Sequence, residues 1–278
     1  MPGVSGWSFL QESAIFSNVT MLRTLLLVLF AAIPLFPGPL HARWQADSPR
    51  LIPTRSPGVK LEMVTLRGTP SLEVHLLRLD RKRTTLRVID FPQETNVARG
   101  LAAAGALAGV NGGYFHPDRR PLGLVVSDGR HLHRLETSKL LSGLLVVTPK
   151  RAMLLRRGEY KEGPNTRQAL QAGPFLVDHG RTVAGLNATR AAERTVLLAD
   201  RDGVAALLVT QPVTLAQLGE ILATPGLFPG LRIERALNLD GGSSTALWAD
   251  AHPRAYSRPE WKRVRNAVAV MPRPNPKP

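Results

Sequence analysis

The sequence predicts an α+β domain, a mixed and mainly antiparallel sheet with a few helices packed on it. Three observations carry this. Short runs alternate apolar with polar residues, as half-buried strands do, at 61–66, 73–79 and 85–89. Similar runs are joined by hairpin turns, at Asp128-Gly129, Asp178-His179-Gly180 and Asp200-Arg201-Asp202-Gly203. Only two stretches, 96–107 and 214–224, space their apolar residues as a helix does. With 278 residues and 44% hydrophobic content, the chain can bury a sizeable core.

Taken in order, residues 1–42 read as an export signal. From Met21 a basic start precedes an uncharged run, 25–36, and small residues surround Ala42, after which cleavage is expected. Met21 itself reads as a possible true start. The apolar run contains Pro34 and is shorter than the roughly 20 residues needed to span a bilayer, so no stable membrane span is expected after cleavage. The mature protein would then be exported, to the periplasm or beyond the cell. Residues 43–59, with Pro49, Pro53 and Pro57 among charges, read as a linker. The domain is expected over 60–272, and a Pro-rich tail, 273–278, as disordered.

Within the domain, the first three strands are followed by a helix over 96–107 with Thr95 as its N-cap. That helix feeds an apolar strand ending in Asn111-Gly112-Gly113. Strands are expected at 122–127, 175–177 and 195–199. Gly173-Pro174 interrupts one of them, marking either a kink or a close approach to a ligand. Thr214 opens the second helix, with Leu215, Leu218, Ile221 and Leu222 on one face and Pro225-Gly226 at its end. The last strand runs over 266–271.

The most informative stretch is 236–248. Leu237 and Leu239 alternate with Asn238 and Asp240, so two polar side chains leave one face of a strand. Gly241 and Gly242 then permit a tight turn. With Ser243, Ser244 and Thr245 they can present amides and hydroxyls to an anion. A plain Asp-Gly hairpin is the other reading. Asn111-Gly112-Gly113 repeats the layout of strand, polar tip and two glycines, with an Asx turn as its alternative. Arg194-Thr195, at the start of a strand, adds the planar donors that suit a phosphate.

Several chemistries are excluded or disfavoured. There is no cysteine, hence no disulfide or thiolate site. Neither a Gly-x-Ser-x-Gly elbow nor a Gly-Lys-Ser/Thr phosphate loop occurs. His131 and His133 share a strand face without a third ligand nearby, which reads as surface rather than metal. The net charge of +15 stays with the mature chain, because residues 1–42 hold one arginine and one glutamate. It implies an anionic partner such as a phosphorylated glycan. At 5% aromatic residues the chain lacks base-stacking platforms, so no nucleic-acid partner is expected.

The segments 110–115, 123–129, 173–177, Arg194-Thr195 and 238–245, in that order, resemble the phosphodiester glycosidase family, which includes an enzyme that removes N-acetylglucosamine from a sugar phosphodiester and many exported bacterial proteins. The resemblance covers about 61–271. It departs in having Val196-Leu197-Leu198 after Arg-Thr, two glycines rather than three after Asp240, and an approximate pattern over 262–267. It implies an exported hydrolase cleaving the glycosidic bond of a sugar phosphodiester in envelope or exopolysaccharide metabolism. A non-catalytic binder of anionic polysaccharide is the alternative. The resemblance places Asn111, Arg194, Asp240, Ser243 and Ser244 around the active site; from the chemistry of the residues Asp240 is expected to be the catalytic carboxylate, and Asn111, Gly112, Gly113, Arg194, Thr195, Gly241, Gly242, Ser243 and Ser244 to bind substrate. One carboxylate among neutral groups does not make a cation site, so no metal or other cofactor is expected.

Overall fold

The computed structural model describes residues 44–93 and 95–274. In chain order it has β1 (Gln45–Ala46), β2 (Arg50–Ile52), β3 (Val59–Arg67), β4 (Leu72–Leu79), β5 (Thr84–Asp90), α1 (Val97–Ala103) and β6 (Ala108–Asn111). There follow β7 (Val125–Ser127), β8 (Arg130–His133), β9 (Gly143–Val147), β10 (Ala152–Arg156), β11 (Gln168–Ala172), β12 (Phe175–Asp178) and β13 (Arg181–Thr182). The chain continues with β14 (Ala192–Asp200), β15 (Gly203–Val213), α2 (Leu215–Ala223), β16 (Arg235–Asn238), β17 (Leu247–Ala249), β18 (Tyr256–Arg258) and β19 (Asn266–Pro272). The fold is thus mostly antiparallel β with two short α-helices, more β-rich than a balanced α+β arrangement.

Three sheets share the strands. The largest runs β1-β3-β4-β15-β14-β16-β12-β13, with β2 also on β3, and the others run β10-β9-β11-β7-β8 and β18-β17-β6-β19-β5. Alternation along each strand decides which layer a residue joins. On β14, Leu197 and Ala199 enter a core shared with Val110, Leu145, Leu170 and Val268 of the smaller sheets. Val196 and Leu198 face the other way and pack with Leu218, Ile221 and Leu222 of α2. The large sheet is therefore covered on both faces, as the near-continuous apolar run 196–199 requires. The smaller sheet containing β6 is covered by α1 through Val97 and Leu101, against Trp248 and Ala269.

Several expectations change. Of the first three alternating runs, β3 and β4 pair antiparallel, Leu61 opposite Leu77, while β5 crosses to pair antiparallel with β19. Within the linker expected over 43–59, residues 44–59 are not bare linker, since β1 and β2 both pair with β3 and Trp44, Ala46 and Ile52 pack on the core. The three prolines set no bar to this, because Pro49, Pro53 and Pro57 all lie outside β1 and β2. The first helix is shorter than 96–107, and its N-cap is Asn96 rather than Thr95, accepting from the Arg99 amide at 2.6 Å. It stops at Ala103 because Gly105 takes φ +67°, with Ala106 N bonded to Leu101 O and Gly105 N to Ala102 O, a Schellman ending. The second helix starts as expected at Thr214, whose hydroxyl accepts from the Gln217 amide at 3.2 Å. The signal reading of 1–42 lies outside the described residues, as do 275–278. Arg273 still hydrogen-bonds Arg83 O, so the ordered chain runs past 272.

Candidate functional site

β6, β14 and β16 end near one another, and the junction is tied by side chains. Asn111, fully buried at the end of β6, accepts from the Thr195 hydroxyl at 2.7 Å and from the Ala246 amide at 3.0 Å. Its own amide donates to Asp240 O at 2.7 Å. Asn111 therefore makes no Asx turn. It joins β14, the turn after β16 and the start of β17 in one polar knot, buried with every group bonded as the dry interior demands.

Asp240 follows two residues after β16. Leu239 enters the core below it, and the Asp240 amide donates to Gly112 O at 3.1 Å. The carboxylate accepts from the Gly241 amide at 2.9 Å. Burial raises its proton affinity above the usual carboxylate range, and hydrogen bonds from Ser244 and Gly241 with the nearby Lys262 charge offset part of this. Of the two glycines beyond it, only Gly242 needs a left-handed conformation, at φ +61°. Gly241 is extended, and a Cβ there would lie 2.7 Å from Glu193 O, so close packing on β14 excludes a side chain. A 3₁₀ turn, Gly242–Ser244, then leads into β17.

Asp240, Gly241, Gly242, Ser243 and Ser244 line a cavity of about 580 Å³ together with Arg194, Tyr114, Asn238, Arg190, Asn187, Pro174 and Lys262. Of the ten residues expected at the site, six line it. Asn111, Gly112, Gly113 and Thr195 do not; they lie beneath it as supports. Gly112 is held against Asn266, whose Oδ1 would be 1.9 Å from an added Cβ, and the Gly113 amide donates to that oxygen at 2.8 Å. Two glycines there serve backbone packing rather than an anion nest.

Arg194 is buried, and its guanidinium donates to Val213 O at 3.0 Å and Arg190 O at 2.7 Å. Glu193, its sequence neighbour, is engaged by Arg258 instead. Burial lowers the proton affinity of Arg194. Among the described residues none of the cavity's three cations, Arg190, Arg194 and Lys262, forms a salt bridge with a carboxylate, and Asp240 is the one carboxylate in the lining. The cavity thus carries excess positive charge, suited to an anion.

Tyr114, Asn238 and Lys262 line the cavity beyond the expected set. The Tyr114 hydroxyl lies 2.7 Å from Gly173 O and 3.0 Å from Asn238 Nδ2. Burial, then the Asp240 charge, pushes its pKa far up, so it stays a neutral donor. Asn238 is buried and donates to Leu239 O at 2.6 Å, while its Oδ1 has no partner. The Gly173-Pro174 break is where this network meets the cavity wall, with Gly173 O taken by Tyr114 and Asn238 and Pro174 in the lining. Tyr114 follows Gly113 directly, and Asn238 is the other polar tip of 236–240, so both carried a signal. Arg190 and Asn187, on the loop before β14, carried none. A larger hollow of about 760 Å³ lies elsewhere, between Trp44 and Phe228, but its buried carboxylate Glu62 is already matched by Lys60 and Arg78 at 2.8 Å each.

The phosphodiester glycosidase family matches residues 104–271. The fold is similar to that of the catalytic domain of zebrafish N-acetylglucosamine-1-phosphodiester alpha-N-acetylglucosaminidase auto-inhibited by its pro-peptide. There the TM-score is 0.59 at 14% identity, covering 82% of this chain and 88% of that one. It is also similar to a hypothetical protein from Synechocystis, with a TM-score of 0.56 at 17% identity, covering 81% of this chain and 64% of that one. No curated protein sequence matches the chain.

Proposed function

The chain belongs to the phosphodiester glycosidase family, and from that premise we propose that it is an exported hydrolase that cleaves the glycosidic bond of a sugar phosphodiester, in envelope or exopolysaccharide metabolism. One observation carries the reading: a half-buried carboxylate of raised proton affinity faces three cations that no carboxylate pairs. A phosphate ester departs as a stable anion, so the leaving group needs less help from a general acid than in ordinary glycosidases, where two carboxyl groups share the work. Asp240 supplies the one carboxylate, as base toward water or as stabiliser of the oxocarbenium-like centre. Its raised proton affinity makes it a stronger base than a solvated aspartate. Arg194, Arg190 and Lys262 hold the phosphate, with the Ser243 and Ser244 hydroxyls beside them. Asn111 and Thr195 bind no substrate in this reading and instead hold Asp240 in place.

The zebrafish enzyme is named for an N-acetylglucosamine phosphodiester, which makes that compound the first to assay. Incubation should release free reducing sugar, in chelator as well as without it, and Asp240→Asn should release none. Retention of intact ligand with no sugar released would favour the non-catalytic binder of anionic polysaccharide. Export is tested separately: fractionation of cells expressing the full chain should recover a product beginning at Arg43.

A further inference from the structure

Trp261 is 87% exposed, by far the most exposed large apolar side chain among the described residues. Lone surface leucines are commonplace, but an indole offers a large rigid face that water solvates poorly. Trp261 is anchored by its backbone. Its amide donates to Ser243 O at 2.9 Å, and so does the amide of Lys262, so the segment is clipped to the wall of the candidate site. Lys262 lines the cavity, its ammonium 5.8 Å from the centre of the Phe115 ring.

The segment is fixed on both sides. Glu260, buried, accepts from the Val97 amide at the start of α1 at 3.0 Å. Val264 is buried, and Arg265 makes a bidentate pair with Asp90 at 2.7 Å. Trp261 is thus presented on a braced turn. It is not among the residues lining the cavity, whose 580 Å³ is of the size that takes one small ligand. What Trp261 can touch is whatever projects from that cavity.

We propose that Trp261 is a stacking platform for a second sugar ring, and that the substrate is therefore an oligomer or polymer of glycosyl phosphate units. The weakly positive C–H faces of a sugar suit the negative face of an indole, and the adjacent Lys262, in no salt bridge among the described residues, suits the phosphates that separate the rings. A membrane surface is less well matched, because no second exposed large apolar residue lies on this turn.

The inference rests on the hydrolase reading for its substrate class, and binding to a turnover-dead protein separates the two. Asp240→Asn protein, with and without Trp261→Ala or Trp261→Phe, is titrated with the methyl phosphodiester of a single sugar and with an oligomer of repeating sugar 1-phosphate units. Trp261→Ala should weaken oligomer binding by about threefold to tenfold more than binding of the single unit, and Trp261→Phe should restore most of the loss. Equal weakening of both ligands, or of neither, overturns the proposal. So does loss of binding to anionic phosphatidylglycerol vesicles on Trp261→Ala with oligomer binding unmoved, which would make the residue a membrane anchor. If the parent protein hydrolyses no phosphodiester while its oligomer binding still depends on Trp261, the hydrolase reading fails and this inference stands.

Discussion

Arg194 and Arg235 lie toward opposite ends of the large sheet, on neighbouring strands, in contrasting surroundings. Arg235 opens β16 with Glu159 accepting two bonds, at 2.5 and 2.7 Å, and Asp178 3.1 Å from its Nε. Glu159 first, and Asp178 with it, holds the guanidinium more firmly protonated. Asp178 also takes Arg156 at 2.9 Å, and Arg156 stands 4.5 Å from the centre of the buried Phe175 ring. At that end cations and carboxylates are matched and stacked. Some five residues further along the same stretch, roughly 16 Å at strand spacing, Asp240 and Arg194 have been taken out of water without each other as partners. Desolvating an ion without an opposite charge costs free energy. The lesson is that matched charges at one end hold the fold together, while unmatched charges at the other are left for a ligand.

The largest effect that tests this contrast is on turnover. Asp240→Asn should lower kcat on a sugar phosphodiester by about a thousandfold or more, with an unchanged circular dichroism spectrum; an active variant would remove Asp240 from its role. At the matched end, Arg235→Met leaves Glu159 without its guanidinium and Asp178 with Arg156 alone, and because Glu159 is part-exposed should cost about 1 to 2 kcal/mol of stability in urea unfolding. The folded fraction should keep parental kcat/KM. If it is the activity that falls and the stability that holds, the two ends have been assigned the wrong way round.

Arg194→Lys keeps the charge and loses the planar fork, so kcat/KM should fall about tenfold to a hundredfold. Parental kinetics in both Arg194→Lys and Arg194→Ala would mean that this arginine clamps no phosphate. The smallest effect is on the stability of the site itself. Because burial raises the Asp240 pKa, folding favours its protonated form; that contribution is present below the unfolded value, about 4, and is lost as pH rises through the folded one. Asp240→Asn mimics the protonated form, so its Tm should exceed the parent's at pH 7 and the two should converge below about pH 4. The acid limb of kcat/KM in the parent should likewise lie above the usual carboxylate range, and a limb near 4 would argue for a solvated Asp240.

Much of this was readable from residue order alone. Alternation and turn chemistry marked β3, β4 and β5, and Asp128-Gly129, with φ of 52° and 79°, makes the expected hairpin between β7 and β8. Thr214 with Gln217 marked the start of α2. The two Gly-Gly stretches marked the junction at which β6 and β16 end. These signals are local: they depend on the backbone preferences of a few adjacent residues, and the chain carries them wherever it folds.

Tertiary structure alone decided how those pieces are used. No local rule says that β5 leaves its neighbours for β19, or that 45–52 adds to a sheet edge, since both depend on partners far along the chain. The same holds at the site. Asn111 and Asp240 sit at similar strand-end positions in sequence, yet one became a buried knot and the other a cavity carboxylate, because only the former meets Thr195 and Ala246. Whether Arg194 would find Glu193 was likewise undecided until Arg258, brought alongside by another sheet, engaged that glutamate first. Charge pairing is a contest among all groups within reach, and reach is a property of the folded chain.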